Sequence, residues 1–77
     1  MMARFELLTR EGCHLCNEMA QILDQEGLQY SLRDVDADDG DRKRWGEVVP
    51  VLLRDGQAVA KIRLTRRDLA RLVARRR

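Results

Sequence analysis

Between Arg4 and Val35 the sequence changes its hydrophobic period twice, and that pattern restricts the chain more than any other feature. Phe5 and Leu7 fall on one face of a short alternating stretch and Leu8 on the other, before the polar Thr9-Arg10-Glu11-Gly12, which predicts a first strand. Leu15, Met19, Ile22 and Leu23 then recur at i, i+4, i+7 and i+8, a single apolar helical stripe, and Gly27 supplies the stop. Leu28, Tyr30 and Leu32 alternate with Gln29, Ser31 and Arg33, predicting a second strand that ends near Val35. Strand, helix and strand in this order form a βαβ unit, with parallel strands and a right-handed crossover.

The remainder adds elements to that unit. Asp36 to Asp41 read as a polar loop and helix start, with Asp38 or Asp39 as the cap and Arg42 to Trp45 continuing a short second helix. Val48 to Leu53 is the most apolar run, and Asp55-Gly56 after it signals a hairpin from which Ala58 to Ile62 return antiparallel. Thr65, with Asp68 three residues on, resembles a capping box, and Leu69, Leu72 and Val73 form a stripe behind it. The expected order is β, α, β, α, β, β, α in one α/β domain, because 77 residues leave no room for a second core. Arg75-Arg76-Arg77 is expected to fray.

With 44% apolar and 36% charged residues, the composition is that of a soluble globular protein. No apolar run reaches the roughly 18 residues of a membrane span, and the N-terminus carries no secretory apolar segment, so the expected compartment is the cytoplasm. The formal charge of +2 conceals an asymmetry: five aspartates and no base lie between Asp34 and Asp41, whereas eight bases between Lys61 and Arg77 oppose Asp68 alone. The basic end raises nucleic acid or an acidic protein as a partner. Phe5, Tyr30 and Trp45 are the only aromatic residues and none lies there, which favours the solvated face of an amphipathic helix over a nucleic-acid surface. The aspartates lack the spacing, central glycine and terminal Glu of a calcium loop.

Cys13 and Cys16 are the only cysteines, and two thiols separated by two residues beside a βαβ pattern read first as a redox pair. In a reducing cytosol a disulfide is usually transient and catalytic. Cys13 falls where the first strand hands over to the helix, so unpaired backbone N–H groups and the positive end of the helix dipole favour its thiolate. Cys16 lies one turn later on the same side. That spacing suits Cys13 as the nucleophile and Cys16 as the resolving thiol. Arg10 and His14 are candidates to add positive charge near Cys13, against Glu11 and Glu18. A closed zinc site needs four ligands and His14 is the sole extra nitrogen, so no metal site within the chain is expected. A metal or iron-sulfur cluster shared across a dimer stays open as a rival.

Val49-Pro50 is the second informative point: as a bare dipeptide it reads as an edge-strand proline. Gly-Cys-His-Leu-Cys after a first strand, then Val-Val-Pro-Val-Leu, an Asp-Gly hairpin and a closing helix together resemble the small bacterial glutaredoxin-like proteins, over essentially the whole chain. The resemblance implies a thioredoxin-like fold, a four-stranded mixed sheet with helices on both faces. It also implies Cys13 as exposed nucleophile, Cys16 as its partner, and Pro50 in cis beside them. In that pattern Val49 offers its backbone N–H and C=O to an extended substrate, and Arg10 stands where many glutaredoxins carry a Lys that attracts a glutathione carboxylate. Two departures are plain: His14-Leu15 replaces the usual Pro-Tyr, and Ile62-Arg63-Leu64-Thr65 replaces the Gly-Gly before the last helix. Those glycines let the backbone approach glutathione, so their absence weakens the case for it; the helix start at Thr65, Arg66 and Arg67 remains a candidate carboxylate holder.

The expected function is therefore thiol-disulfide oxidoreduction by a monomer with no tightly bound cofactor and glutathione as a candidate co-substrate. The expected partner is a disulfide-containing protein or a small-molecule disulfide, with glutathione or a thioredoxin reductase as electron donor. A noncatalytic module of the same fold, binding a protein partner or a metal or iron-sulfur cluster, is the alternative.

Overall fold

A computed structural model describes residues 3 to 74. Its elements run β1 (Phe5–Thr9), α1 (His14–Gln25), β2 (Ser31–Asp34), a short 3-10 turn (Val35–Ala37), α2 (Asp39–Trp45), β3 (Val51–Arg54), β4 (Gln57–Lys61) and α3 (Arg66–Ala74). The expected fraying of Arg75 to Arg77 and the place of the Val73 side chain in the last stripe lie outside the described residues.

Local chemistry sets the ends of these elements. After α1, Gly27 adopts φ +73. Its N–H donates to the Asp24 carbonyl at 3.1 Å and that of Leu28 to the Leu23 carbonyl at 3.0 Å, the paired bonds of a Schellman stop. Asp38 caps α2 by accepting from the Asp41 N–H at 3.0 Å. Asp55 and Gly56 both have positive φ, 51 and 85, as a two-residue I′ hairpin between β3 and β4 requires.

The strands form one mixed sheet in the order β2-β1-β3-β4, with β1 parallel to β2 and antiparallel to β3, and β3 antiparallel to β4. The pleat sends alternate side chains to two layers. Phe5, Leu7 and Leu52 join Met19 and Leu23 of α1 and Leu69 of α3 in the larger cluster, whereas Leu8, Val51 and Leu53 meet Trp45, the last residue of α2, and Val48 just after it on the other face. The sheet is thereby covered by helices on both sides. Each fully buried leucine stabilises the fold by about 1.5 to 3 kcal/mol.

β2 departs from the sequence reading. The strand begins at Ser31, and all four of its residues are exposed, with Leu32 at 66%. Leu28 and Tyr30 do pack on the core, but from the segment leading into the strand, and Val35 is buried just after it. Leu32 pairs with Leu7 on the α1 side of the sheet. It sits on an edge strand where side chains lack a neighbour on one flank, so alternation there marks no buried face. What fastens this edge is polar: Arg33 donates to both oxygens of Asp41 at 3.0 and 2.9 Å and reaches Glu6 at 3.3 Å, joining β2 to α2 and β1.

Candidate active site

β1 delivers Cys13 to the start of α1 through a tight turn, in which the Cys13 N–H donates to the Arg10 carbonyl at 3.1 Å and Gly12 takes φ +77. Cys13 is the N-cap of α1, with extended backbone (φ −84, ψ 110), and its Sγ accepts from the Cys16 N–H at 3.1 Å. A sulfur at a helix N-terminus is surrounded by the partial positive charge of unpaired N–H groups, and the first turn of α1 carries no acid to oppose it. Cys13 and Cys16 are joined as a disulfide with Cα atoms 5.2 Å apart. Their environments differ: Cys13 is half-buried, whereas Cys16 is only 1% exposed. An approaching thiol or disulfide therefore meets Cys13 first.

The residues around the pair have more specific partners than the sequence discloses. The Arg10 guanidinium donates to both oxygens of Asp36, at 2.8 and 2.9 Å, and to the Gly46 carbonyl at 2.9 Å. The hydrogen bond from Arg10 holds the Asp36 carboxyl below its usual range, and the same bond raises Arg10. Arg10 thus binds the turn before Cys13 to the C-terminus of α2, from which the chain runs to Pro50. Gly46 is needed there, since a Cβ would collide with the Arg42 carbonyl and lie 3.2 Å from the Arg10 Nη2. His14 is 85% exposed and its Nε2 lies 2.8 Å from Glu18, so its imidazole is turned to a carboxylate one turn along the helix.

The Val49-Pro50 peptide is cis. The Pro50 carbonyl accepts the Ile62 N–H at 2.7 Å, and Val51, the next residue, pairs with Lys61. Neither the N–H nor the C=O of Val49 has a hydrogen-bond partner among the described residues. Thr65 is committed to α3, its Oγ1 accepting from the Asp68 N–H at 3.0 Å. Among the described residues, no three His, Cys, Asp or Glu side chains converge as a metal site.

Two residues of this region escaped the sequence reading. Asp36 pairs with a residue 26 positions away. The β1–β2 register, which sets Thr9 opposite Asp34, is the signal that brings them together just past the strand ends. Ile62 has φ 68 and centres a γ-turn closed by the Arg63 N–H on the Lys61 carbonyl at 2.6 Å. A β-branched residue at positive φ runs against local preference, so no sequence rule would place it there. Ile62 is 41% exposed and borders a narrow crevice of about 40 Å³ with Leu15 and Arg63.

A four-stranded mixed sheet, a Cys-x-x-Cys disulfide capping the first helix and a proline at the entry to the third strand define a protein of the thioredoxin-like class. Residues 4–74 match the family model described as glutaredoxin-like domain (DUF836), and the chain belongs to that family. No curated protein matches it by sequence. Among solved structures, it is similar to a structural-genomics target protein from X. campestris, with 23% identity and TM-score 0.83 over 95% of this chain and 99% of that one. A protein from Nitrosomonas europaea is similar at 20% identity and TM-score 0.74, covering 94% and 92% of the two chains. The holo form of glutaredoxin C1 from Populus tremula x tremuloides is similar at 18% identity and TM-score 0.62, covering 96% and 77%. At these identities the likeness is one of fold.

Proposed function

We propose that this protein is a thiol-disulfide oxidoreductase that reduces substrate disulfides through Cys13, with Cys16 as the resolving thiol. The observation that carries this reading is the disulfide at the start of α1 whose two cysteines differ in exposure, Cys13 half-buried and Cys16 fully buried. In the reduced protein the Cys13 thiolate attacks one sulfur of a substrate disulfide. A Cys13–substrate bond forms, and the other substrate sulfur leaves as a thiolate that takes up a proton. Cys16 then loses its proton and attacks the Cys13 Sγ; the protein disulfide forms and the second substrate sulfur is released. The substrate gains two electrons and the Cys13–Cys16 pair loses two.

A dithiol reductase or two molecules of glutathione return those electrons. Of these the reductase fits better. The backbone at Ile62 is held in a γ-turn by a side-chain-bearing residue, and the Arg10 guanidinium already holds an internal carboxylate. Val49 supplies a free backbone N–H and C=O for an extended substrate next to Pro50, in the manner of strand addition. Arg10 serves this site through position, by tying the turn before Cys13 to the segment that leads to Pro50, and His14 lies at its rim.

Disulfide reduction should be measured with glutathione and, separately, with a thioredoxin reductase, for the wild type, Cys13→Ser and Cys16→Ser. The wild type should turn over with a reductase, and Cys16→Ser should accumulate a mixed disulfide that Cys13→Ser does not form. A wild type inactive with both donors, or trapping by Cys13→Ser instead, would overturn the reading.

A further inference from the structure

We propose that the Cys13 site selects disulfides carried on acidic polypeptide segments, received by a basic rim of Arg44, Lys61 and Arg63 around Pro50 and Ile62; this rests on the oxidoreductase reading above. The two flanks of the cysteine pair differ in charge. Toward β2 lies an open cleft of about 500 Å³ lined by Arg10, Glu11, Asp34 and Leu32 among others. Its one cation, Arg10, is bound to Asp36, so the flank as a whole is anionic. Toward β4 the balance is reversed. Lys61 pairs with Val51, immediately after Pro50, and its Nζ stands 5.6 Å from the Trp45 ring centroid; Arg44 lies over the same ring at 4.8 Å. Arg63 is exposed beside Ile62. None of these three cations has an ion-pair partner among the described residues. Two acids stand nearby against these three cations: Glu18, which lines the crevice beside Ile62 with its carboxylate turned to His14, and Glu47 between Gly46 and Pro50.

The acid-rich segment follows β2, at the edge of the sheet opposite β4, and three of its five carboxylates are neutralised by arginines. Asp34 accepts from the Asp36 N–H, Asp36 binds Arg10, Asp38 caps α2, Asp39 pairs with Arg42 and Asp41 with Arg33. Uncompensated positive charge thus collects on the flank that also holds the unpaired Val49 backbone and the exposed Ile62. Those two features fit an extended peptide with an apolar residue near its cysteine, since a nucleic acid would use neither. Complementary charge at such a site acts chiefly on encounter rate and orientation.

The test compares three substrates of equal length, each with one cysteine in mixed disulfide with the same chromophoric thiol. One is flanked by Asp and Glu, one by Lys and Arg, and one by neutral residues. With reduced protein at low salt, the acidic peptide should react about tenfold faster than the basic one, and the ratio should fall toward one as salt is raised. Lys61→Gln with Arg63→Gln should cut the acidic-to-neutral ratio severalfold. Equal rates for the peptides at every salt concentration would overturn this inference and leave the oxidoreductase reading standing; failure of all three to react would overturn that reading itself. A single-stranded DNA oligomer that slows the reaction as strongly as a cysteine-free acidic peptide would overturn the assignment to polypeptides.

Discussion

Leu69 is the fully buried residue through which α3, together with the partly buried Leu72, packs on the core, and its truncation has a calculable cost. It is fully buried and joins Phe5, Leu7, Met19, Leu23, Leu52 and Leu64 in the larger core cluster. Leu69→Ala loses part of the roughly 1.5 to 3 kcal/mol of leucine burial and adds a cavity term of about 24 cal/mol per Å³. α3 packs on one side only, with Ala70 and Arg71 exposed, so the helix can settle inward and close part of the void. The expected loss is therefore about 2 to 3.5 kcal/mol, in the lower half of the usual range for such changes. A chain of 77 residues has about 4 to 12 kcal/mol of total stability, so the variant should remain folded near room temperature. At about 4 to 8 °C per kcal/mol, its Tm should fall by about 8 to 28 °C. Thermal unfolding followed by circular dichroism measures this, with the exposed Arg67→Ala as a control expected to change by no more than about 0.5 kcal/mol. A loss below about 1 kcal/mol for Leu69→Ala would show that α3 is not held by this side chain.

Three further outcomes follow from polar contacts. Tyr30, the single tyrosine, is pushed up to about 12 by burial first and by its hydrogen bond to Asp24 at 2.8 Å second. Its contribution is complete below the unfolded value of about 10 and is lost as pH rises through the folded value. An ultraviolet phenolate titration should give a midpoint well above 10 that drops in Asp24→Asn, and an ordinary midpoint would contradict the burial. Asp36 has the opposite sign: its carboxyl is lowered by Arg10, so its contribution is present above the usual carboxylate range and disappears as pH falls through the folded value. Urea midpoints at about pH 7 and about pH 3 should therefore differ less in Asp36→Asn than in the wild type, and an unchanged difference would count against the pair. Thr65→Ala should cost about 1 kcal/mol through loss of the α3 cap while Thr65→Ser retains most of it; equal urea midpoints for the two would exclude the cap.

The parts of this fold that rest on local periodicity are legible in the amino-acid sequence. Met19 and Leu23 are buried as their stripe requires, Gly27 ends α1, Asp38 caps α2, and Asp55-Gly56 turns the hairpin. The βαβ crossover and the antiparallel return also follow the expected order. β2 misleads because alternation reports burial only when a layer covers that face, and Leu32 lies at an uncovered edge. In the site, the Cys13–Cys16 spacing is readable, since it depends on one helical turn. The partners of Arg10 and His14 are not: charge near a thiol can be inferred from proximity in sequence, but its direction depends on which carboxylate the fold brings within reach. Ile62 is hidden for a different reason, because its N–H is held by the carbonyl of Pro50, which the fold brings in from outside the local segment.

If the proposed redox cycle operates, the hydrogen bond from the Cys16 amide to the Cys13 sulfur makes the main chain a gauge of it. As a thiolate, Cys13 presents a charged acceptor and should protect that amide from hydrogen exchange most strongly. In a disulfide, whether with Cys16 or with a substrate, the same sulfur is a weak neutral acceptor, and exchange at Cys16 should be faster than in the thiolate. On the proposed mechanism, exchange at this one amide would thus separate the thiolate from both disulfide states of Cys13.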